Sequence, residues 1–214
     1  MTVLITGANR GIGRGLAQHY QNAGETVIAT ARRPTADEVA LDVTQPQSLA
    51  TLTETLSGKP IDLLVCNAGV YPDKGHSFEA GYGTDIWDSA FATNVTGVFL
   101  TIQHLMPNVL QAGGKIAIIS SVMASCERAP GGSYAYRASK AAVLNLGRNL
   151  AADFAPKGIA IGIYHPGWVK TDMGGAEADI EESVAVNGLT ERFAALDMSR
   201  TGEFLSYDGT PIPF

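Results

Sequence analysis

A doubly wound, parallel α/β sheet is the fold this sequence predicts, and three observations predict it. Strand-like and helix-like segments alternate along all 214 residues. The strand-like segments are short, β-branched and almost free of charge, as strands covered on both faces are. Small or polar residues (Gly7, Asp42, Asn67, Ser121 and Pro166) fall just past the ends of those segments, where open parallel sheets gather their ligands.

Taken in order, residues 2–6 (Thr-Val-Leu-Ile-Thr) form the first strand, and Gly15-Leu16-Ala17-Gln18-His19-Tyr20 begins the first helix. Between them, Gly7, Gly11 and Gly13 follow a G-x-x-x-G-x-G spacing that permits a tight turn. It also lets backbone amides approach a pyrophosphate at the helix start. Residues 26–30 are the second strand, ending in Ala31-Arg32-Arg33. Dinucleotide-binding sheets often place an acidic residue there to hold the adenosine ribose. This chain has no carboxylate at that point, and Arg10 in the glycine turn adds a third cation. Guanidinium groups favour a phosphate dianion over a neutral ribose, which predicts NADPH over NADH. The alternative is that Arg32 and Arg33 are surface charges in a turn before Pro34.

Residues 34–39 are too few for a full crossover helix, so 39–41 read as a third strand with Asp42 past its end. A helix over 46–57 starts on Pro46, a residue suited to a first turn. Residues 61–65 are the fourth strand, leading into Cys66-Asn67-Ala68-Gly69. Pro72, Gly75, Gly81 and Gly83 make 71–84 a loop, and a long helical stretch covers 85–111. Lys115–Ile119 is the fifth strand, with Ser120 and Ser121 at its end. A helix over 133–154 and a sixth strand over 159–164 follow, then His165-Pro166-Gly167. The tail holds a helix near 181–196 and a short strand near 204–206. No repeat, low-complexity tract or linker interrupts the chain, so residues 1–214 are expected to form one domain with one core.

Composition excludes several classes of function. The net charge of −6, without a run of Lys or Arg, leaves no basic footprint for nucleic acid. The apolar segments are strand-length, so neither a membrane span nor a secretory leader is expected. Cys66 and Cys126 are in no C-x-x-C spacing and suit a reducing cytoplasm as free thiols. His19, His76, His104 and His165 form no metal-ligand pattern.

Tyr136 and Lys140 stand four residues apart in the helix over 133–154, so both side chains leave one face. Moving a phenol from its usual pKa near ~10 to ~7 takes about 4 kcal/mol of preference for the phenolate. A cation about 4 Å away supplies roughly that at an effective dielectric of ~20. Taken alone, the pair reads equally as a proton donor and acceptor working near neutrality or as a solvated or packing pair, since Tyr and Lys fall at this spacing by chance in many helices.

Together, Thr6-Gly7-x-x-x-Gly11-x-Gly13, Asn67-Ala68-Gly69, Asn94, Ser121, Tyr136-x-x-x-Lys140 and Pro166-Gly167 resemble the short-chain dehydrogenase/reductase family, in the family's order and over essentially the whole chain. The segments 134–140, 165–175 and 204–209 resemble its C-factor and sniffer-type carbonyl reductase branch. The chain is slightly short for that branch near 34–38 and 176–200.

The resemblance implies a Rossmann-type sheet of about seven strands in the order 3-2-1-4-5-6-7. It implies that Tyr136, not Tyr134, protonates the alkoxide forming from a small aldehyde or ketone. Lys140 would lower the pKa of that phenol and hold the nicotinamide ribose, and Ser121 would hold the carbonyl oxygen. Asn94 would position a water linking Lys140 to solvent. Ser121 is chosen over Ser120 as the second of the pair, with Ser125 a rival because the interval to Tyr136 is long. The coenzyme positions implied are Gly7, Asn9, Arg10, Gly11, Ile12, Gly13, Arg32, Arg33, Asp42, Val43, Asn67, Ala68, Gly69, Tyr136, Lys140, Pro166, Gly167, Val169 and Thr171.

Taken alone, Asp42 reads equally as a cap for the next turn, Asn67-Ala68-Gly69 as a strand end and Asn94 as a helix kink. Substrate contacts are expected from Ser121, Met123, Tyr136, Trp168 and Met173. Tyr71, Ser125, Arg128 and Ala176 lie nearby in the same loops. Two further readings stand beside carbonyl reduction: a dinucleotide-binding signalling or regulatory protein like C-factor, and alcohol oxidation by the same residues run backwards. A homodimer or homotetramer is expected through the two long helices, by resemblance.

Overall fold

The structure is a computed structural model that describes residues 1–35 and 37–214. Seven strands form one sheet in the order β3-β2-β1-β4-β5-β6-β7, and every neighbouring pair is parallel. The strands are β1 (Thr2–Ile5), β2 (Thr26–Ala31), β3 (Val39–Ala40), β4 (Leu63–Cys66), β5 (Lys115–Ile119), β6 (Ala160–His165) and β7 (Phe204–Ser206). The expected sheet and strand order are therefore observed. The part of the predicted short 34–39 connection that falls on residue 36 lies outside the described residues.

The helices are α1 (Gly11–Asn22), α2 (Pro46–Leu56), α3 (Thr84–Phe91), α4 (Gly97–Ala112), α5 (Tyr134–Phe154) and α6 (Glu182–Ala195). They cover both faces of the sheet, which explains the near-continuous apolar strands. Leu4, Leu64, Ile116, Ile118 and Ile161 face a core closed by α2, α4 and α5. Val3, Ile5, Leu63, Val65, Ala117 and Tyr164 face the other, closed by α1 and α6 around the fully buried Phe193. Alternate residues of each strand thus feed opposite layers.

The long helix expected over 85–111 is instead broken. Residues Ala92–Thr96 make a single π-helical turn between α3 and α4. A π turn inserts one residue into the helical repeat and rotates the side chains that follow it. Asn94 lies within it and is fully buried. Gly97 follows because α4 comes close to Val43 there: a Cβ on Gly97 would sit 2.8 Å from Val43 Cγ2.

Candidate active site

A groove of about 700 Å³ runs along the carboxyl ends of β1, β2, β4 and β5. The glycine turn forms its floor. Gly7 has φ +67° and packs on the loop after β4: a Cβ there would lie 2.9 Å from Ala68 Cα. A Cβ on Gly13 would meet the Gly7 carbonyl oxygen at 2.3 Å and Asn67 Nδ2 at 2.5 Å. Asn67 itself ties the two segments, its Nδ2 donating to the Thr6 carbonyl (2.9 Å) and the Gly7 carbonyl (3.1 Å). The Thr6 hydroxyl accepts from the amides of Asn67 and Ala68, both at 3.0 Å. Replacing Gly13 by Ala is expected to cost stability by about 1–3 kcal/mol, because the backbone has no room to yield. Thermal unfolding, together with NADPH titration by fluorescence, checks this.

The donor set at this floor fits a dinucleotide. Helix α1 begins with no side-chain cap and no acidic residue in its first turn, so its leading amides are free for an anion. Arg32 and Arg33 line the groove beyond β2 and are exposed. Arg10 also lines it and pairs with Asp172 across the groove, Nη1 to Oδ2 at 3.1 Å. With the side chains 63% and 76% exposed, this is a weak, exchangeable ion pair. Asp42 lines the groove, and its Oδ1 caps the next turn by accepting from Thr44 N (2.9 Å) and Thr44 Oγ1 (2.7 Å), the capping role considered for it.

Of the expected coenzyme positions, Gly7, Asn9, Arg10, Gly11, Ile12, Gly13, Arg32, Arg33, Asp42, Val43, Asn67, Ala68, Gly69, Tyr136, Lys140, Pro166 and Thr171 line the groove. Gly167 and Val169 do not. Gly167 turns at φ +91° under Ile180 and Tyr207, and Val169 is buried beside Ile180 in a short bridge. Leu41, Thr44, Val70, Thr93, Ile119, Ser120 and Asp172 also line the groove; no motif marks Leu41, Thr44, Val70 or Thr93 in the sequence.

At the other end, α5 brings Tyr136 and Lys140 to one face. Both are buried, with Lys140 Nζ 5.7 Å from the Tyr136 ring centre. Lys140 Nζ donates to the Ile119 carbonyl (3.0 Å) at the end of β5. Ser120 lines the groove, but its Oγ is committed to the Lys140 backbone carbonyl, to which it donates at 3.0 Å; Ser121 is not among the lining residues. Ser121 starts a 3-10 turn over Val122–Ala124; its Oγ accepts from Met123 N (3.1 Å), and its hydroxyl is near enough to Tyr136 to favour the phenolate. Ser125 Oγ is buried with no partner among the described residues.

Asn94 uses its amide fully. Oδ1 accepts from Val70 N (2.9 Å), and Nδ2 donates to Val70 O (3.0 Å) and Ser139 Oγ (2.9 Å). It therefore joins the loop after β4 to α5. Gly69 sits where Asn94 and Lys140 converge: a Cβ there would lie 3.4 Å from Asn94 Oδ1 and 3.7 Å from Lys140 Nζ.

The electrostatics correct one expectation. Lys140 Nζ stands 5.7 Å from the Tyr136 ring centre, and burial rather than this cation dominates the phenol. Burial raises its pKa above the ordinary value and is the largest effect; the Ser121 hydroxyl opposes it, and Tyr71 and Asp73 add to the rise. Tyr136 is thus a protonated acid at neutral pH rather than a phenol tuned to neutrality by its neighbour. Burial acts on Lys140 in the opposite sense and lowers it to about 8. His165, expected only to be free of metal, is lowered to about 4, by burial first and by Arg128 next. No group of His, Cys, Asp and Glu among the described residues has the arrangement of a metal site.

Two loops flank this end. Met173 lines the groove, whereas Trp168 is half exposed with its Nε1 donating to the Gly174 carbonyl (3.0 Å). Lys74 crosses from the loop after β4 and donates to the carbonyls of Met173 (2.7 Å) and Gly174 (3.2 Å). Met123 is half-buried beside Ser121, and Arg128 is exposed. Sequence reasoning passed over Asp73, a fully buried carboxylate in an otherwise exposed loop. Its only local trace is an acid after Pro72 in a glycine-punctuated segment, which is what a surface turn also looks like.

The model for short chain dehydrogenase matches residues 1–182. C-signal of Myxococcus xanthus is 35% identical over 159 residues, covering 72% of this chain and 93% of that protein. The crystal structure of NADPH-bound carbonyl reductase from chicken fatty liver superposes with a TM-score of 0.89 at 30% identity, over 100% of this chain and 98% of that one. Carbonyl reductase Sniffer of D. melanogaster gives 0.90 at 26% identity, over 100% and 99%.

Proposed function

Since this chain belongs to the short-chain dehydrogenase/reductase family, a family of NAD(P)-dependent oxidoreductases, we propose that it uses NADPH to reduce the carbonyl of a small aldehyde or ketone to an alcohol. The observation that carries this reading is that Tyr136 and Lys140 line one end of a groove whose other end is cationic, with Ser121 close enough to Tyr136 to act on its phenol. The NADPH-bound state of the chicken carbonyl reductase and the Sniffer likeness support the coenzyme and the reaction class.

The chain's own residues divide the work. The free amides of α1 and the guanidinium groups of Arg10, Arg32 and Arg33 would hold the phosphates of the coenzyme; Lys140 would hold its nicotinamide ribose. Bound NADPH supplies the hydride to the carbonyl carbon. Ser121 donates a hydrogen bond to the carbonyl oxygen and stabilises its growing negative charge. Tyr136 gives its phenolic proton to that oxygen, and burial keeps the proton on the phenol until then. Lys140 is the next proton source, and Asn94 holds α5 and the loop after β4 around it. Exposed Trp168 and Met173 provide an apolar flank for the substrate.

Ser121→Ala is expected to lower kcat by about 10²–10³-fold, the usual cost of an oxyanion donor. Ser125→Ala should retain turnover, and loss only in the second variant would move the role to Ser125. A pH profile follows from Lys140. Its pKa lies at about 8, below the ordinary value, so it carries its proton below that pH and loses it above. The kcat/KM for NADPH, which reports the free enzyme, should therefore be flat below pH 7 and fall as pH rises through about 8.

The likeness to C-signal favours a second reading, in which coenzyme binding serves signalling or regulation. NADPH consumption across aldehydes and ketones separates the two: tight binding without turnover on any carbonyl supports the second. Alcohol oxidation with NADP is the same chemistry reversed and is read by the same assay. Phe99 and Leu110, exposed on α4, support self-association through the long helices as a dimer or tetramer, which sedimentation velocity measures. Free Cys66 and Cys126 support a reducing cytoplasm, and no helix among the described residues is long and apolar enough to cross a membrane.

A further inference from the structure

The loop after β4 grips the start of α5 at two points. Asp73 is fully buried, and its carboxylate accepts from Ala135 N (2.8 Å, Oδ2) and Tyr136 N (3.2 Å from Oδ1, 3.4 Å from Oδ2). These amides belong to the first turn of α5, and Ser133 before it, at φ +51°, makes no side-chain cap bond to the helix. The second grip is aromatic. The Tyr71 ring stacks on the Tyr136 ring, centres 4.0 Å apart and planes 18° from parallel, and its hydroxyl bonds the Ser133 hydroxyl.

We propose that Tyr71 and Asp73 form a clamp that positions the Tyr136 hydroxyl for proton transfer, Asp73 by fixing the backbone and Tyr71 by fixing the ring. The clamp rests on the reading of Tyr136 as the proton donor. Its physical case is one of cost and alternative. A helix start can be capped by a local Ser, Thr or Asp at little cost. Here the cap is a fully desolvated carboxylate 62 residues upstream, which is expensive unless charge-assisted bonds to amides repay it. Such a cap gives what a local one cannot: it ties Tyr136 to the loop that follows Gly69 at the groove floor. The stacked ring removes the rotational freedom left about the Tyr136 side chain. Both partners are positioning residues that act through Tyr136.

The test combines single variants with a cycle through Tyr136→Phe. Asp73→Ala and Tyr71→Ala are each expected to lower kcat about 100-fold, the cost of a displacement near 1 Å at a reacting group. NADPH affinity, read by fluorescence, should change less than about twofold. Asp73→Asn keeps one acceptor oxygen and should recover about tenfold of the loss; Tyr71→Phe keeps the ring and should stay within about threefold of the parent. In the Tyr136→Phe background, Asp73→Ala should cost nothing further, because the group it positions is gone. Without coenzyme, the Tyr136 amide should exchange its hydrogen faster in Asp73→Ala, while the core amides of β5 keep their protection.

A kcat within about threefold of the parent for both alanine variants overturns the clamp. So does the same fractional loss in both backgrounds, or NADPH affinity falling in step with kcat, since either marks a general structural role. Should Asp73→Ala not fold, Asp73→Asn and the Tyr71 pair carry the same comparison. Full turnover in Tyr136→Phe alone rejects the proton-donor reading itself, whereas amide exchange still reports whether Asp73 holds the helix.

Discussion

Tyr136→Phe is expected to lower kcat for carbonyl reduction by about 10²–10⁴-fold, the range a positioned general acid contributes. NADPH should still bind, since the ring remains to fill its place in the buried stack with Tyr71. The substitution removes one oxygen and its proton and little else. Ser121 keeps its bond from the Met123 amide, so the substitution leaves that hydroxyl with a partner. Steady-state kinetics on the best substrate, with NADPH affinity measured by fluorescence, checks both halves. Turnover near the parent level would mean that another group delivers the proton, and the mechanism would fall.

Arg32→Asp is expected to reverse the coenzyme preference. Arg32 lines the groove just past β2, exposed, as do its neighbour Arg33 and, from the glycine turn, Arg10. A charge-assisted hydrogen bond is worth about 1.5–3 kcal/mol, so its loss alone lowers kcat/KM for NADPH by about 10–150-fold. The new carboxylate repels the phosphate and offers an acceptor to the ribose hydroxyls of NADH. Activity with NADH should hold or rise. Arg10 gives a useful contrast, because part of its charge is already matched by Asp172. Arg10→Ala should therefore cost NADPH less than Arg32→Asp does. Equal efficiency of the parent with both coenzymes would end this assignment.

Much of this molecule was legible in the chain. The strands themselves, the glycine turn and the Tyr136–Lys140 spacing follow from periodicity, which reports local geometry directly, whereas the strand order came from the family resemblance. Which of Ser120 and Ser121 faces a substrate is not a matter of spacing: Ser120 lines the groove but spends its hydroxyl on the Lys140 carbonyl, a contact between segments 20 residues apart. The π turn at Ala92–Thr96 was not legible, because one inserted residue barely disturbs the apolar pattern of a long helix.

What the sequence determined by itself was the sheet, the side of it that carries the groove, and the residue types gathered there. These depend on interactions between near neighbours and on which faces are apolar. Only the tertiary structure decided that Asp73 caps a helix 62 residues away, that Asn94 bridges Val70 and Ser139, and that Arg10 reaches Asp172. It alone also decided that Tyr136 rests protonated, because a pKa sums burial and every nearby dipole and charge, and that sum exists only once distant segments have packed.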